Sequence, residues 1–219
     1  MEDKEVTARK KELRKRLRQA RKDLGSEARE RADAGIASRV LSLSEWQRSQ
    51  IVLAYLSVGE EVDTRGLVRQ AWVAGKVVAI PRVVPHTRLM EWYRIDDFDR
   101  LERSSFGVEE PLAEPDRLLD VAREAEAGGS ILAVVPGLTF DGHGFRMGYG
   151  GGFYDTLLAD FPGTSVGICR EAQLTDNLAA MGVVGEHDLG VDVVVTERRT
   201  IETSESPWSN WAREKEGQA

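Results

Sequence analysis

Residues 134–161 read "VVPGLTFDGHGFRMGYGGGFYDTLLADF". Six of the eleven residues from Gly142 to Gly152 are glycine. The apolar run SILAVV at 130–135 comes just before, short and bounded by polar residues, which suits a buried strand. An amphipathic pattern follows: Tyr154, Leu157, Leu158 and Phe161 fall at i, i+3, i+4 and i+7, the core face of a helix expected over 152–161. Strand, glycine loop and helix make an anion cradle, because residues without Cβ accept positive φ and let backbone N–H groups close on a ligand. Arg146 adds a planar cation suited to phosphate or carboxylate. A Walker loop needs a Gly-Lys-Ser/Thr ending, which is missing here; the dinucleotide spacing also fails, since Phe153 stands where a third glycine is required. A mobile surface turn is the bland alternative. Against it, Phe145, Met147, Tyr149, Phe153 and Tyr154 are interleaved with the glycines, and disordered segments are poor in such residues. Asp155, in the first helical turn, complements the helix dipole; beside a phosphate cradle it also suits Mg²⁺, a hard cation with oxygen ligands.

Outward from this loop the chain alternates strands and helices. QIVLAYL at 50–56 reads as a buried strand, Asp63 as the cap of a helix over 64–74 closed by Gly75, and KVVAIP at 76–81 as the next strand. That is a βαβ unit with a parallel pair. Residues 89–94 suggest another strand, and 96–127 read as acidic irregular loops marked by Pro111 and Pro115. TSVGIC at 164–169 and VDVVVT at 191–196 supply the last strands. The expected architecture is a three-layer α/β/α sandwich with a largely parallel central sheet, one domain over 1–197. Residues 198–219 read as a polar, frayed tail, which Trp208 and Trp211 could pin to the body. Open parallel sheets bind ligands at the carboxyl ends of their strands, where the loops after Leu56 and Val135 leave.

Residues 6–24 read as a helix with an apolar stripe of Leu13, Leu17, Ala20 and Leu24; Gly25 ends it, and Ser26 looks like the cap of a second helix reaching about Leu43. At about 100° per residue, Lys10, Arg14 and Arg21 lie along one edge of the stripe, whereas Lys11, Lys15, Arg18 and Lys22 face outward. The net charge of −7 argues against a nucleic-acid partner despite this basic helix. The chain has one cysteine, Cys169, which fits a reducing cytoplasm, and no apolar run long enough to span a membrane. His86, His143 and His187 lack metal-ligand spacing, and a G-x-S-x-G hydrolase motif is missing.

The segment "VPGLTFDGHGFRMGYGGGFYD" closely resembles the signature of the 5-formyltetrahydrofolate cyclo-ligase family, roughly V-P-G-x-x-F-D-x-x-G-x-R-L-G-x-G-x-G-Y-Y-D. Pro136, Gly137, Phe140, Asp141, Gly144, Arg146, Gly148, Gly150, Gly152, Tyr154 and Asp155 match. Met147 replaces leucine, and Phe153 replaces a tyrosine and its hydroxyl. "KKELR", "LSVGEEVDT", "AGKVVAIPRV", "FGVEEP" and "GVDVVVTE" resemble further family segments, so the likeness spans about residues 8–197.

The resemblance implies an ATP- and Mg²⁺-dependent ligase that cyclises 5-formyltetrahydrofolate to 5,10-methenyltetrahydrofolate, releasing ADP and phosphate. It implies ATP contacts from Lys10, Lys11, Arg14, Arg146, Gly148, Tyr149, Gly150, Gly151, Gly152, Phe153 and Tyr154, with Arg146 catalytic. It implies folate contacts from Leu56, Glu61, Phe106, Tyr149, Gly152, Phe153 and Tyr154, and Mg²⁺ ligands in Asp155 and Asp192. Asp192, set among valines, also reads as a paired structural aspartate. Such an enzyme is expected to be a cytoplasmic monomer acting on small molecules. A binding module that does not turn over, or a sugar-phosphate isomerase of similar layout, are the alternatives.

Overall fold

The structure, a computed structural model, describes residues 4–104, 107–185 and 188–203; Phe106, His187, Trp208 and Trp211 lie outside them. In chain order the elements are α1 (Lys4–Asp23), α2 (Ser26–Ser42), α3 (Ser44–Arg48), β1 (Ile51–Leu53), α4 (Arg65–Val73), β2 (Val77–Val83) and β3 (Met90–Arg94). Then come β4 (Leu101–Arg103), β5 (Glu109–Pro111), β6 (Leu118–Leu119), α5 (Val121–Glu126), β7 (Ile131–Val135), β8 (Thr139–Asp141) and β9 (Arg146–Met147). The chain closes with α6 (Phe153–Ala159), β10 (Thr164–Ile168), β11 (Leu174–Thr175), β12 (Val193–Val195) and β13 (Thr200–Glu202).

The main sheet has eight strands in the order β13-β12-β10-β7-β1-β2-β3-β6. Its centre, from β12 through β10, β7 and β1 to β2, is parallel throughout. Three antiparallel pairings finish the edges: β13 on β12, β3 on β2, and β6 on β3. This is the expected largely parallel α/β architecture.

The apolar runs at 51–53, 131–135 and 193–195 are buried on both faces because alternate side chains serve two separate cores. Val52, Leu132, Val134, Val193 and Val195 join Ile36 and Val40 of α2 and Leu67, Val68 and Ala71 of α4 in one cluster. Ile51, Leu53, Ile131, Ala133, Val135 and Val194 join Leu158 of α6, Phe161 and Phe140 in the other. Period-two alternation with apolar residues at both phases is what a sheet covered by helices on each side requires. The stripe of α1 forms a third, smaller cluster: Leu13, with Leu17 beside it, packs on Met147, Leu178 and Val183. Ala20, assigned to that stripe from its spacing, is exposed.

Several boundaries shift for local reasons. Gly25, not Ser26, is the cap of α2. Thr64 caps α4, while Asp63 sits one residue earlier and accepts the Arg65 backbone N–H at 3.1 Å. The stretch 96–127, expected to be loops, contains β4, β5, β6 and α5; the Asp120 carboxylate caps α5 by accepting the Arg123 N–H at 3.1 Å. Residues 200–202, expected to begin a frayed tail, instead pair with β12 as the edge strand β13. Among the described residues, no helix is long and apolar enough to cross a membrane.

Candidate active site

The glycine-rich segment is a folded hairpin rather than an open loop. After Val135 the chain turns at Pro136 and runs through β8, which pairs antiparallel with β9 and parallel with β11. The Phe140 ring packs closely against the backbone of β10: a Cβ added at Gly167 would stand 2.2 Å from it. The carboxylate of Asp141, fully buried, accepts backbone N–H groups from His143 (3.0 Å), Phe145 (3.0 Å) and Leu178 (2.8 Å). Three charge-assisted bonds to one carboxylate hold the turn tightly, and the turn delivers Arg146 to β9. The segment then passes Gly150 at φ +102° and Gly152 at φ +76° into α6, backbone conformations that favour residues without Cβ.

This segment walls a cavity of about 160 Å³ at the carboxyl edge of the sheet. Residues 146–155 line one side; Lys10 and Arg14 of α1, with Asp188, line the other. Lys10 is buried, and its Nζ donates to Asp188 at 2.8 Å. Arg14 Nε donates to the Gly148 carbonyl at 2.9 Å. Arg146, with 6% of its side chain exposed, pairs with Asp155 at 2.8 Å and lies over the Tyr154 ring at 5.7 Å. Two buried polar atoms here lack a hydrogen-bond partner among the described residues, Arg146 Nε and Tyr154 Oη. Among the described residues, Lys10, Arg14 and Arg146 share the wall with Asp155 and Asp188, so cations are concentrated at the glycine hairpin. Salt-bridge geometry lets a phosphate take the place of Asp155 on Arg146 or of Asp188 on Lys10.

A partly buried acid stands next to this cavity. Glu61, in the loop after β1, accepts the Val58 N–H at 3.0 Å, sits 4.0 Å from the Arg21 guanidinium, and lies against the Tyr149 hydroxyl. Burial raises its pKa above the usual carboxylate range; the Val58 N–H and Arg21 pull it back only in part. Burial and then the Glu61 charge push the Tyr149 phenol up to about 12, and the same two causes raise Tyr154 and Tyr55. Arg21 ties this region to the glycine segment. It is 3% exposed, donates to Tyr149 Oη at 3.1 Å and also donates to the Gly137 carbonyl.

Of the residues singled out in the sequence, Lys10, Arg14, Arg146, Gly148 to Tyr154 and Asp155 line one cavity, with Glu61 adjoining through Tyr149. Others fall elsewhere. Lys11 is exposed on the outer face of α1 with Lys15 and Lys22. Leu56 is 4% exposed and packs within the α2/α4 cluster. Phe106 lies outside the described residues. Asp192 does not line the cavity: its carboxylate accepts the Ser165 N–H (2.7 Å) and hydroxyl (2.6 Å) where β10 and β12 begin, and burial raises its pKa. Asp155 and Asp192 are thus at different places in the fold. Arg21, Tyr55 and Asp188 were not among the sequence candidates, although the helical geometry of α1 already put Arg21 on the edge shared by Lys10 and Arg14. The Cys169 thiol is buried and pushed up to about 12, so it is inert.

A largely parallel α/β sheet with cations converging on a glycine hairpin at its carboxyl edge, and a partly buried acid beside them, has the layout in which α/β enzymes place their ligand sites. Residues 6–197 match the model of the 5-formyltetrahydrofolate cyclo-ligase family, and the chain belongs to that family. It is similar to 5-formyltetrahydrofolate cyclo-ligase of Mus musculus, 29% identical over 202 residues that cover 88% of this chain and 95% of the relative. The cyclo-ligase of Escherichia coli K12 is 27% identical over 85% of this chain and 99% of its own length. The solved structure of Aquifex aeolicus 5,10-methenyltetrahydrofolate synthetase is similar at 30% identity and a TM-score of 0.73, covering 89% of this chain and 93% of that one.

Proposed function

We propose that this chain closes 5-formyltetrahydrofolate to 5,10-methenyltetrahydrofolate, consuming ATP with Mg²⁺ and releasing ADP and phosphate. One observation carries the reading: Lys10, Arg14 and Arg146 converge on the glycine hairpin, next to the partly buried acid Glu61. A cavity of about 160 Å³ is below the roughly 300–1,000 Å³ of a pocket that encloses a whole drug-sized ligand. It suits the polyphosphate end of ATP, with the nucleoside outside. Arg146 Nε and Tyr154 Oη, buried without partners among the described residues, supply the donors that a phosphate needs. Asp155 fits Mg²⁺, which takes one or two carboxylates together with phosphate oxygens and water. When bound, the ion neutralises phosphate charge.

Chemistry here is mainly positioning and charge neutralisation, as in other phosphoryl transfers. The formyl oxygen attacks the γ-phosphorus and ADP departs, which converts a poor leaving oxygen into a phosphate ester. N10 then attacks the activated carbon, loses its proton, and phosphate leaves as the five-membered ring closes. Lys10, Arg14 and Arg146 hold the phosphates in line. Glu61 accepts hydrogen bonds from pterin N–H groups, its distance and orientation set by Tyr149 and Arg21. Pterin binding beside Glu61 draws the folate against the aromatic side of the hairpin.

The test is direct: protein, 5-formyltetrahydrofolate, ATP and Mg²⁺ are mixed and the methenyl chromophore is followed. Product that depends on both ATP and Mg²⁺ is expected. Folded protein that forms none overturns the reading.

A further inference from the structure

Arg170 and Asp33 form an ion pair outside the cavity. Arg170 follows β10 at the carboxyl edge of the sheet and is 2% exposed. Asp33 comes from α2. The pair is bidentate: Nε donates to Oδ1 at 2.7 Å and Nη2 to Oδ2 at 2.8 Å. The remaining donors of the guanidinium reach two successive backbone carbonyls, Glu60 O from Nη1 at 2.8 Å and Glu61 O from Nη2 at 3.1 Å. Asp33 Oδ2 also accepts the Asp63 backbone N–H at 3.2 Å. One buried ion pair therefore grips the loop after β1 at residues 60, 61 and 63, from two elements that do not otherwise form part of the site.

A buried ion pair is a poor source of net stability, since apolar residues of the same volume often do as well. What an apolar pair could not do is hold carbonyls in place. The grip falls on the backbone of Glu61 itself, while its carboxylate meets the Val58 N–H, Arg21 and Tyr149. Because Asp33 neutralises Arg170, the pair acts on position rather than as a net charge on Glu61.

We propose that Arg170, braced by Asp33, is a positioning residue for folate: it fixes the backbone of residues 60–61 so that the Glu61 carboxylate meets the pterin. The inference rests on the reading of Glu61 as the pterin-facing acid. Among the described residues, the side-chain hydrogen bonds of Arg170 go to Asp33 and to the backbone of residues 60–61 and none to the glycine hairpin, so its effect falls on one of the two substrates. Lysine at 170 keeps the charge but replaces a fork by a point donor, and cannot span both carbonyls and the carboxylate.

The test uses Arg170→Lys and Asp33→Asn in the full chain, each alone and combined with Glu61→Gln, with KM for 5-formyltetrahydrofolate and for ATP measured separately. Each single variant is expected to raise KM for the folate about tenfold, while kcat and KM for ATP stay within about twofold. In the Glu61→Gln background the same substitutions should add almost nothing, because the group they position is gone. A merely structural role would move both KM values together, or would multiply fully onto Glu61→Gln; either result overturns the proposal. Asp33→Glu keeps the carboxylate that neutralises Arg170 but lengthens its reach, so it reads the same grip if Arg170→Lys or Asp33→Asn melts early. A wild-type folate KM for Glu61→Gln alone would instead overturn the role given to Glu61, and is distinguishable from failure of the clamp.

Discussion

Replacing Arg146 with methionine separates what the hairpin does for the fold from what it does for the reaction. The guanidinium is 6% exposed and its partner Asp155 is 26% exposed. Breaking a fully buried pair costs about 3–5 kcal/mol because the abandoned charge stays dry. Here the abandoned charge is Asp155, which can rehydrate from its exposed side, and the unpartnered Nε disappears with the arginine. The lost charge-assisted bond then sets the scale, about 2 kcal/mol. For a chain of this size, that lowers Tm by about 4–8 °C. The hairpin itself survives, since its turn hangs on Asp141 and not on Arg146. The effect on turnover is far larger. A preorganised donor aimed at transition-state charge is worth about 10²–10³ in kcat.

The assay is initial methenyl formation at saturating folate, with ATP varied, beside a thermal melt on the same preparation. The expected result for Arg146→Met is a folded protein whose kcat/KM for ATP has fallen at least a hundredfold, about the lower bound above. Arg146→Lys restores the charge without the fork, so it should recover stability before it recovers rate. A kcat for Arg146→Met within a few-fold of wild type, in protein that melts cooperatively, would remove this arginine from the mechanism and leave it a structural partner of Asp155.

Three further predictions follow from the same geometry. Burial holds the Glu61 pKa above the usual carboxylate range, so folate KM should rise as pH falls through that raised value, and Glu61→Gln should flatten this acid limb. A raised folded-state pKa contributes stability that is complete below the unfolded value and lost as pH rises through the folded one. Glu61→Gln should therefore melt higher than wild type at pH 8 and not at pH 4; the opposite order in thermal melts would refute the assigned cause. Gly150→Ala puts a Cβ at φ +102° and 3.3 Å from the Arg14 guanidinium carbon, so it should cost about 1–3 kcal/mol of backbone strain and raise KM for ATP without changing folate KM. Asp155→Asn should raise the Mg²⁺ concentration for half-maximal rate, whereas Asp192→Asn, which keeps an acceptor for Ser165 and sheds a buried charge, should leave that requirement unchanged in a Mg²⁺ titration.

Features that depend on short stretches of chain were legible in the sequence. The buried strands at 131–135 and 193–195 show as apolar runs because each face of the sheet meets a helix layer. The glycine segment shows because backbone conformation at Gly150 and Gly152 restricts residue choice locally. Lys10, Arg14 and Arg21 could be placed on one edge of α1 by helical angle alone. What each meets could not, since their partners are Asp188, Gly148 and Tyr149, more than a hundred residues away. Helix α5 was missed even though Asp120 is a readable cap, because the acidic, proline-marked surroundings outweighed a six-residue helix. Edge strand β13 was missed because its outer side faces solvent, so three polar-flanked residues at the end of a fold look like tail until the partner strand is known.

Asp192 and Arg170 mark where composition stops being informative. Both are charged residues next to apolar strands, and both could be read as site residues or as structural ones. Asp192 is met by Ser165 at the strand beginnings, so its carboxylate joins β10 to β12. Arg170 leaves the other end of β10, three residues beyond Gly167, and its donors reach the loop that carries Glu61. β10 thus meets a carboxylate from the neighbouring strand at its start and sends a charge toward the site loop at its finish. Which is which follows from the direction of a parallel strand, because in such a sheet every carboxyl end opens on the ligand side.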